Sequence, residues 1–455
     1  MSEISLIYVD ASQIGYGRVG VELDRRLTER GVTVWNRSGD PDPSPQTKPN
    51  DEHFSHAKIA PSPPNTTCLI SVPAHHVGHF SGQHSAIVTM WEATRLPEAF
   101  RENLHEFDTV IVPSWQNVEL FSKFHDNVQF MPLGIDEKLW HYTPPTLPER
   151  EFRFLISGRG NRKGVDLAWR AFREVFHDSY DWNPAPKLIM KSRQGLTDYY
   201  GRNVEQVTGS LSAIDERDLY ASAHCYIQPS RGEGFGLQPL QAMALGRPTI
   251  LTNAHGHESY AHLGIGIGWE YAKADEFFFG DADEWWEPDF EELCEAMWDV
   301  YKHWGAHADA AKVNAEIVTR DWTWDRMTDR FVEILGEQMD KPYTGDGTWH
   351  KTTRKLFKVI TWRDYPCDIA GRKLFFQAGK TYWESADVKR ILFDGGLLDP
   401  ACISDDDPGL AEFQIEQLDQ YRAMHEPCPT CQRDCKCPTA VDRIEAEMLA
   451  AEAVS

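Results

Sequence analysis

Short apolar runs alternate with amphipathic stretches along most of the chain. Residues 4–9 form an apolar run. Gly15-Tyr16-Gly17 follows, then a helical period over 19–28 that stops at Gly31, then a second apolar run at 32–35. This predicts a βαβ start with glycines in its first turn and Gly31 placed to end the helix. Strand-like runs resume at 67–72, 85–90, 109–112 and 127–131, with a helix over 96–105. Residues 141–151 carry Pro144, Pro145 and Pro148 and read as a hinge. Beyond it a second alternation has strands at 152–156, 187–190, 204–207, 225–228 and 248–251, with helical periods over 165–175 and 215–223. The pattern predicts two doubly wound, Rossmann-like α/β domains, 1–140 and 151–336, facing a cleft.

Three stretches depart from the alternation. Residues 38–65 hold seven prolines and predict a long surface loop or mobile insertion. Residues 270–299 hold twelve acids and one Lys, mixed with Phe277-Phe278-Phe279 and Trp285-Trp286. They read as a solvated acidic loop with an aromatic underside, leading into a helix over 290–301. A helix over 322–335 closes the second unit. From residue 342 onward the character changes to short strands (356–362, 373–377, 381–383), a turn at Ala370-Gly371 and helices (386–392, 412–424, 440–453), a small α+β extension over 342–455.

Composition narrows the function. A chain of 455 residues suits two domains and an added piece. Its formal net charge of −24 argues against coating nucleic acid, which needs a basic face, but leaves room for a small basic pocket. No run of 18 apolar residues occurs, so no membrane-spanning helix is expected. The first ten residues lack a basic region and do not resemble a signal peptide. Nine cysteines without such a signal suggest a reducing, cytoplasmic compartment.

Two segments carry chemistry. Residues 229–246 follow a strand and open a helix, with Gly234 and Gly236 letting the backbone approach a ligand. Free amides of the first helical turn and the helix dipole then favour an anion, and Pro239 suits that turn. Glu233 at the edge of such a site suits sugar hydroxyls. Residues 157–167 follow another strand and concentrate Arg159, Arg162 and Lys163 in an acidic protein, which fits a diphosphate. Taken singly, each has a plain alternative: a glycine-rich turn and a solvated basic loop.

In order along the chain stand a glycine-containing first turn, P-L-G-I-D at 132–136, G-R with K-G-V-D at 158–166, P-S-x-x-E-G-F-G-L at 229–237 and T-N-A-H-G-H-E at 252–258. Together these resemble the family 4 glycosyltransferases of the GT-B fold, over about residues 4–336. The resemblance implies a retaining transferase using a nucleotide-diphosphate sugar, with no metal needed for catalysis. It implies that Arg159 and Lys163 hold the diphosphate, that Glu233 contacts the donor sugar, and that the amides of Gly234, Phe235, Gly236 and Leu237 contact sugar or phosphate. Gly15 and Gly17 would close from the other domain. The family's second Glu, on the ribose hydroxyls, is here Gln241, which keeps hydrogen bonding but loses the charge-assisted bond. Replacing Lys163 is expected to lower turnover and leave thermal stability unchanged.

Glu92, in Met90-Trp91-Glu92-Ala93-Thr94, either orients or deprotonates the acceptor hydroxyl or caps the following helix. His75, His76, His79 and His84 read as surface or acceptor-loop histidines rather than a metal site. Cys428, Cys431, Cys435 and Cys437 lie within ten residues and suit one structural Zn²⁺. The acceptor is open between a glycan, a lipid-linked sugar, a protein and a modified base. The alternatives to a transferase are another GT-B enzyme, such as an epimerase or phosphorylase, and a degenerate nucleotide-sugar or carbohydrate-binding protein.

Overall fold

The structure is a computed structural model. It describes residues 2–9, 15–39, 64–73, 79–145, 151–176, 184–196, 199–201, 203–274, 282–346 and 349–350, with the strand residues 357–360, 365–369, 372–376 and 381–384. The chain divides into two compact units, Met1–Lys355 and Leu356–Ser455.

The first unit opens with β1 (Glu3–Val9), α1 (Gly15–Glu29), β2 (Thr33–Gly39), β3 (Thr66–Ile70), the short β4 (His79–Phe80), β5 (His84–Val88), α2 (Glu98–Leu104), β6 (Thr109–Val112), α3 (Trp115–Phe121) and β7 (Val128–Phe130). Six of these strands form a parallel sheet in the order β2-β1-β3-β5-β6-β7. β3 and β6 are buried throughout, which is why they read as continuous apolar runs without alternation.

A second parallel sheet follows. Its elements are β8 (Glu151–Ser157), α4 (Val165–Val175), β9 (Ala185–Ser192), β10 (Val204–Thr208), α5 (Ala213–Ala221), β11 (Cys225–Gln228), α6 (Leu237–Ala244), β12 (Thr249–Thr252) and β13 (Ile265–Ile267), in the order β10-β9-β8-β11-β12-β13. The order reverses between β8 and β11. A doubly wound sheet opens a crevice at that switch point, beyond the carboxyl ends of the strands. The two chemistry-bearing segments are the loops that leave β8 and β11.

The expected acidic loop is instead an antiparallel hairpin of β14 (Trp269–Lys273) and β15 (Glu284–Pro288). The β14 arm is largely exposed, whereas β15 buries the adjacent Trp285 and Trp286. Then come α7 (Phe290–Lys302), α8 (Trp304–Asp321), α9 (Trp324–Met339) and β16 (Trp349–His350). Helix α9 begins where the Thr323 side chain accepts from the Arg326 amide, and Ile135 bridges backbone-to-backbone to Trp322 and Trp324. Its buried stripe is Trp324, Met327, Phe331, Leu335 and Met339. Asp325 pairs with Arg26 and Arg30, and Asp329 with Arg30, all on or just beyond α1. The helix expected to end the second domain therefore packs on the first, because its apolar stripe and acids match α1.

The extension expected from residue 342 begins, as a compact unit, at Leu356. Residues 349–350 still belong to the first unit, where β16 pairs with β4. In the second unit β17 (Phe357–Ile360) pairs with β20 (Thr381–Glu384), and β18 (Tyr365–Ile369) with β19 (Arg372–Phe376). The expected helices of this unit, and Cys428, Cys431, Cys435 and Cys437, lie outside the described residues, as do His75, His76 and most of the 38–65 stretch. Among the described residues no helix is long and apolar enough to cross a membrane, and no three His, Cys, Asp or Glu side chains gather as metal ligands.

Candidate active site

Strand β8 ends at Ser157 and the chain turns through Gly158, Arg159 and Gly160 into a single helical turn, Asn161–Lys163. A left-handed Gly164 (φ 68°) then starts α4. The turn aims Lys163 at the loop leaving β11. Its Nζ donates to Glu233 Oε1 at 2.5 Å, and Ser230 Oγ donates to the same oxygen at 3.0 Å. Arg162 Nη1 lies 3.7 Å from Glu233 Oε2 and donates to the Gly232 carbonyl at 2.6 Å. Lys163 and Glu233 are joined from below, since Gln228 Nε2 donates to the Lys163 carbonyl at 2.9 Å and to Ser230 Oγ at 3.0 Å.

Burial alone would raise the Glu233 carboxyl, but Lys163, then Arg162 and His257, reverse that and hold it at about 2. Burial pulls the Lys163 ammonium down, with Glu233 acting against the fall. The pair is ionic at neutral pH. The sign of the linkage follows from the depressed carboxyl. Its contribution to stability is complete above the ordinary glutamate value of 4.5 and is lost as pH falls through about 2. Between pH 5 and 2, Glu233→Gln is expected to remove up to about 1.4 kcal/mol per pH unit from the slope of unfolding free energy, the value for one proton. Urea unfolding across that range checks it. An unchanged slope would mean that Glu233 has an ordinary titration.

Helix α6 follows Gly236, whose φ of 86° and contacts exclude a side chain: a Cβ would lie 2.5 Å from His257 Nε2 and 2.8 Å from Tyr260 Oη. Tyr260 donates to the Phe235 and Gly236 carbonyls, and the Gly256 amide donates to the Glu233 carbonyl. Thr252 and His255 both engage the Ser230 carbonyl, at 2.8 and 3.0 Å. The T-N-A-H-G-H-E segment therefore braces the glycine loop from behind. His255 has a left-handed backbone (φ 46°) and, with burial lowering it, a pKa of about 4. Burial also holds His257 well below its ordinary value.

The first sheet supplies the opposite wall. Glu92 follows β5, and its carbonyl abuts the Cα of Gly232 so closely that a Cβ there would overlap it. Glu92 Oε1 stands 3.9 Å from Arg162 Nη1. Burial raises its carboxyl, Arg162 opposes this, and Glu233 adds to it. Glu92 does not cap the following helix: α2 starts at Glu98 after Pro97. Tyr16, between Gly15 and Gly17, shares its hydroxyl with the Met90 amide and carbonyl at 3.0 Å each. Met90 in turn packs on Gly234. Burial raises the Tyr16 phenol, and Glu92 adds to that.

The structure thus brings together Lys163, Glu233, Glu92 and the Gly232–Gly236 loop. It does not bring Arg159 into the cluster; that side chain is exposed on the turn after β8. Phe235 is a core residue, against Tyr260 and Trp322, and only its backbone faces the loop. Gln241 is half-buried in the second turn of α6. Sequence reasoning counted Arg162 only as one charge of the basic loop and gave no role to Tyr16 or Arg231. Arg231 forks to Asp166 at 2.7 and 2.8 Å and to Glu287 at 2.5 and 2.8 Å, donates to the Asn161 carbonyl at 2.5 Å and lies over the Trp285 ring. Its partners come from α4 and β15, so only the basic character of Arg231 was visible.

Known proteins resemble this chain in sequence and fold. Residues 151–277 match the family model described as Glycosyl transferases group 1. That segment, which spans β8 to the β14 arm, is thus similar to the group 1 glycosyl transferases. A protein of Sulfolobus islandicus filamentous virus, provisionally named glycosyltransferase 41, is 26% identical over 163 residues, covering 35% of this chain and 44% of that one. The chain spans about half or less of the length of the curated viral relatives it matches. Sucrose-phosphate synthase from Thermosynechococcus elongatus superposes with a TM-score of 0.55 at 16% identity, over 74% of this chain and 99% of its own. WaaG, a glycosyltransferase involved in lipopolysaccharide biosynthesis, does so at 0.51 and 16%, over 73% and 99%. These likenesses are of fold, and the fold is GT-B.

Proposed function

We propose that this chain is a retaining glycosyltransferase that moves a sugar from a nucleotide-diphosphate donor to an acceptor hydroxyl. The observation that carries this is the buried Lys163–Glu233 pair at the switch point of the second sheet, beside the open amino end of α6 and facing Glu92 across 3.9 Å of Arg162 contact. As the glycosidic bond breaks, negative charge grows on the leaving diphosphate. Lys163, with Arg159 swinging in from the rim and the amides after Gly236, stabilises that charge. Glu233 aligns Lys163 and presents its remaining oxygen to the donor sugar. Glu92, with a raised carboxyl, sits where an acceptor hydroxyl approaches and takes or orients its proton. Gln241 and Gly15–Gly17, the first residues of α1, complete the donor side. Retention of configuration follows the family resemblance. The acceptor class stays open.

Release of nucleoside diphosphate from a donor, measured on purified protein, tests the reading. Tight donor binding with no release, with or without acceptors, would favour the degenerate binding protein that Gln241 suggests. Changing Gln241 to Glu is expected to shift donor KM by no more than about a hundredfold, the scale of one charge-assisted bond, and to leave acceptor KM unchanged. A change confined to acceptor KM would place Gln241 away from the donor.

We assign 356–455 to acceptor or partner recognition rather than to transfer. Truncation after Lys355 keeps the β4–β16 pairing and is expected to preserve donor hydrolysis while lowering transfer to the natural acceptor. Loss of donor binding in that truncation, read by calorimetry, would place the second unit in the catalytic machinery.

A further inference from the structure

At the amino ends of β12 and β13, opposite the end of the sheet that carries the proposed catalytic cluster, α6 and α8 enclose a half-open cavity of about 140 Å³. Ala310 and Ala311 line it, and Arg247, Thr249, His307 and Asn314 are the polar residues among its lining. Arg247 is 2% exposed. Its Nη2 donates to the Thr143 carbonyl at 2.8 Å, while its Nε is buried without a partner. Among the described residues no carboxylate pairs with it, although the protein's net charge is −24. The other polar lining groups are engaged: Thr249 donates to the Arg247 carbonyl, Asn314 to the Leu263 carbonyl, and His307 meets Asp299, which His303 also holds.

A guanidinium stays charged in a protein, and burying it without a counter-charge costs several kcal/mol. Burial pulls Arg247 down only to about 10, so it is a cation at neutral pH. Its planar fork matches the edge of a tetrahedral oxyanion. At roughly 30 Å³ per water, the cavity has room for four or five waters or one such ion. We propose that this cavity binds a phosphate-class oxyanion, with Arg247 as its counter-ion. The occupant is free phosphate or the phosphoryl end of a small phosphomonoester projecting past His307. Because Arg247 also holds Thr143, and the Thr143 amide donates to the Leu245 carbonyl, the anion is coupled to the segment that precedes β8.

Hydrogen exchange on the full chain, with inorganic phosphate or glycerol 3-phosphate, tests this with a readout that separates the two anion sites. Exchange in 247–251 and 304–314 is expected to slow by 1 + [L]/Kd, about tenfold at ten times Kd. The slowing persists in Lys163→Met, which disables the diphosphate clamp. It is lost in Arg247→Met, and also in Ala311→Leu, which fills the cavity while leaving the arginine in place. A response to both probes assigns a phosphomonoester, and a response to phosphate alone assigns the free ion. No slowing with either probe, slowing confined to 158–164 and 233–240, or full slowing in Ala311→Leu would overturn the proposal.

Discussion

Replacing Lys163 with methionine is expected to lower turnover by about a hundredfold to a thousandfold, the cost of removing one preorganised charge donor. It is also expected to lower the melting temperature. The lysine and Glu233 side chains are 16% and 7% exposed. Removing one partner of a buried ion pair leaves an uncompensated charge and costs about 3–5 kcal/mol. Ser230 and Arg162 remain beside the carboxylate, at 3.0 and 3.7 Å, so the lower end of that range applies here. This differs from the expectation from sequence that stability would be unchanged, because a basic loop was visible but its burial against Glu233 was not. Adding Glu233→Gln to Lys163→Met should recover most of the stability and none of the turnover. Steady-state kinetics and thermal unfolding of the two variants check both halves. Recovery of turnover in the double variant would show that Lys163 acts only through folding.

Arg231→Met is expected to be the most destabilising single change in the donor half. It strands Asp166 and Glu287 together, and it releases the Asn161 carbonyl that fixes the turn carrying Lys163. About 3–5 kcal/mol is the scale for such a buried network. The side chain is held charged: burial lowers the guanidinium, and hydrogen bonds to Asp166 and Glu287 more than reverse this. The β14–β15 hairpin depends on the same contacts, because the Trp286 amide donates to the Arg231 carbonyl. Arg231→Lys keeps one charge but loses both forks, and should fall between wild type and the methionine variant. Urea unfolding measures the loss, and hydrogen exchange should show faster opening in 157–164 and 284–288. Unchanged stability in Arg231→Met would mean that the two carboxylates find other partners.

The parallel strands were legible because a strand buried on both faces is a short apolar run, and several were placed within a residue of their observed ends, Cys225–Gln228 among them. The donor loops were legible because their glycines and charges are contiguous in sequence. Long-range relations were not. Nothing near Glu287 marks it as a partner of Arg231, 56 residues away, and nothing in α9 shows that its stripe meets α1 rather than the second sheet. Helix α3 was missed, although α2, equally short, was expected. The hairpin at 269–288 was obscured by its charge, since acids on an edge strand and acids in a solvated loop look alike without their neighbours.

The most direct measurement is incubation of the full chain with a panel of nucleotide-diphosphate sugars, followed by mass spectrometry for released nucleoside diphosphate and for the transferred or hydrolysed sugar. At least one donor should give both products in equal amounts, and Lys163→Met should cut the rate by about a hundredfold or more. Release from no donor, or release that Lys163→Met leaves intact, would contradict a diphosphate clamp at the β8–β11 switch point.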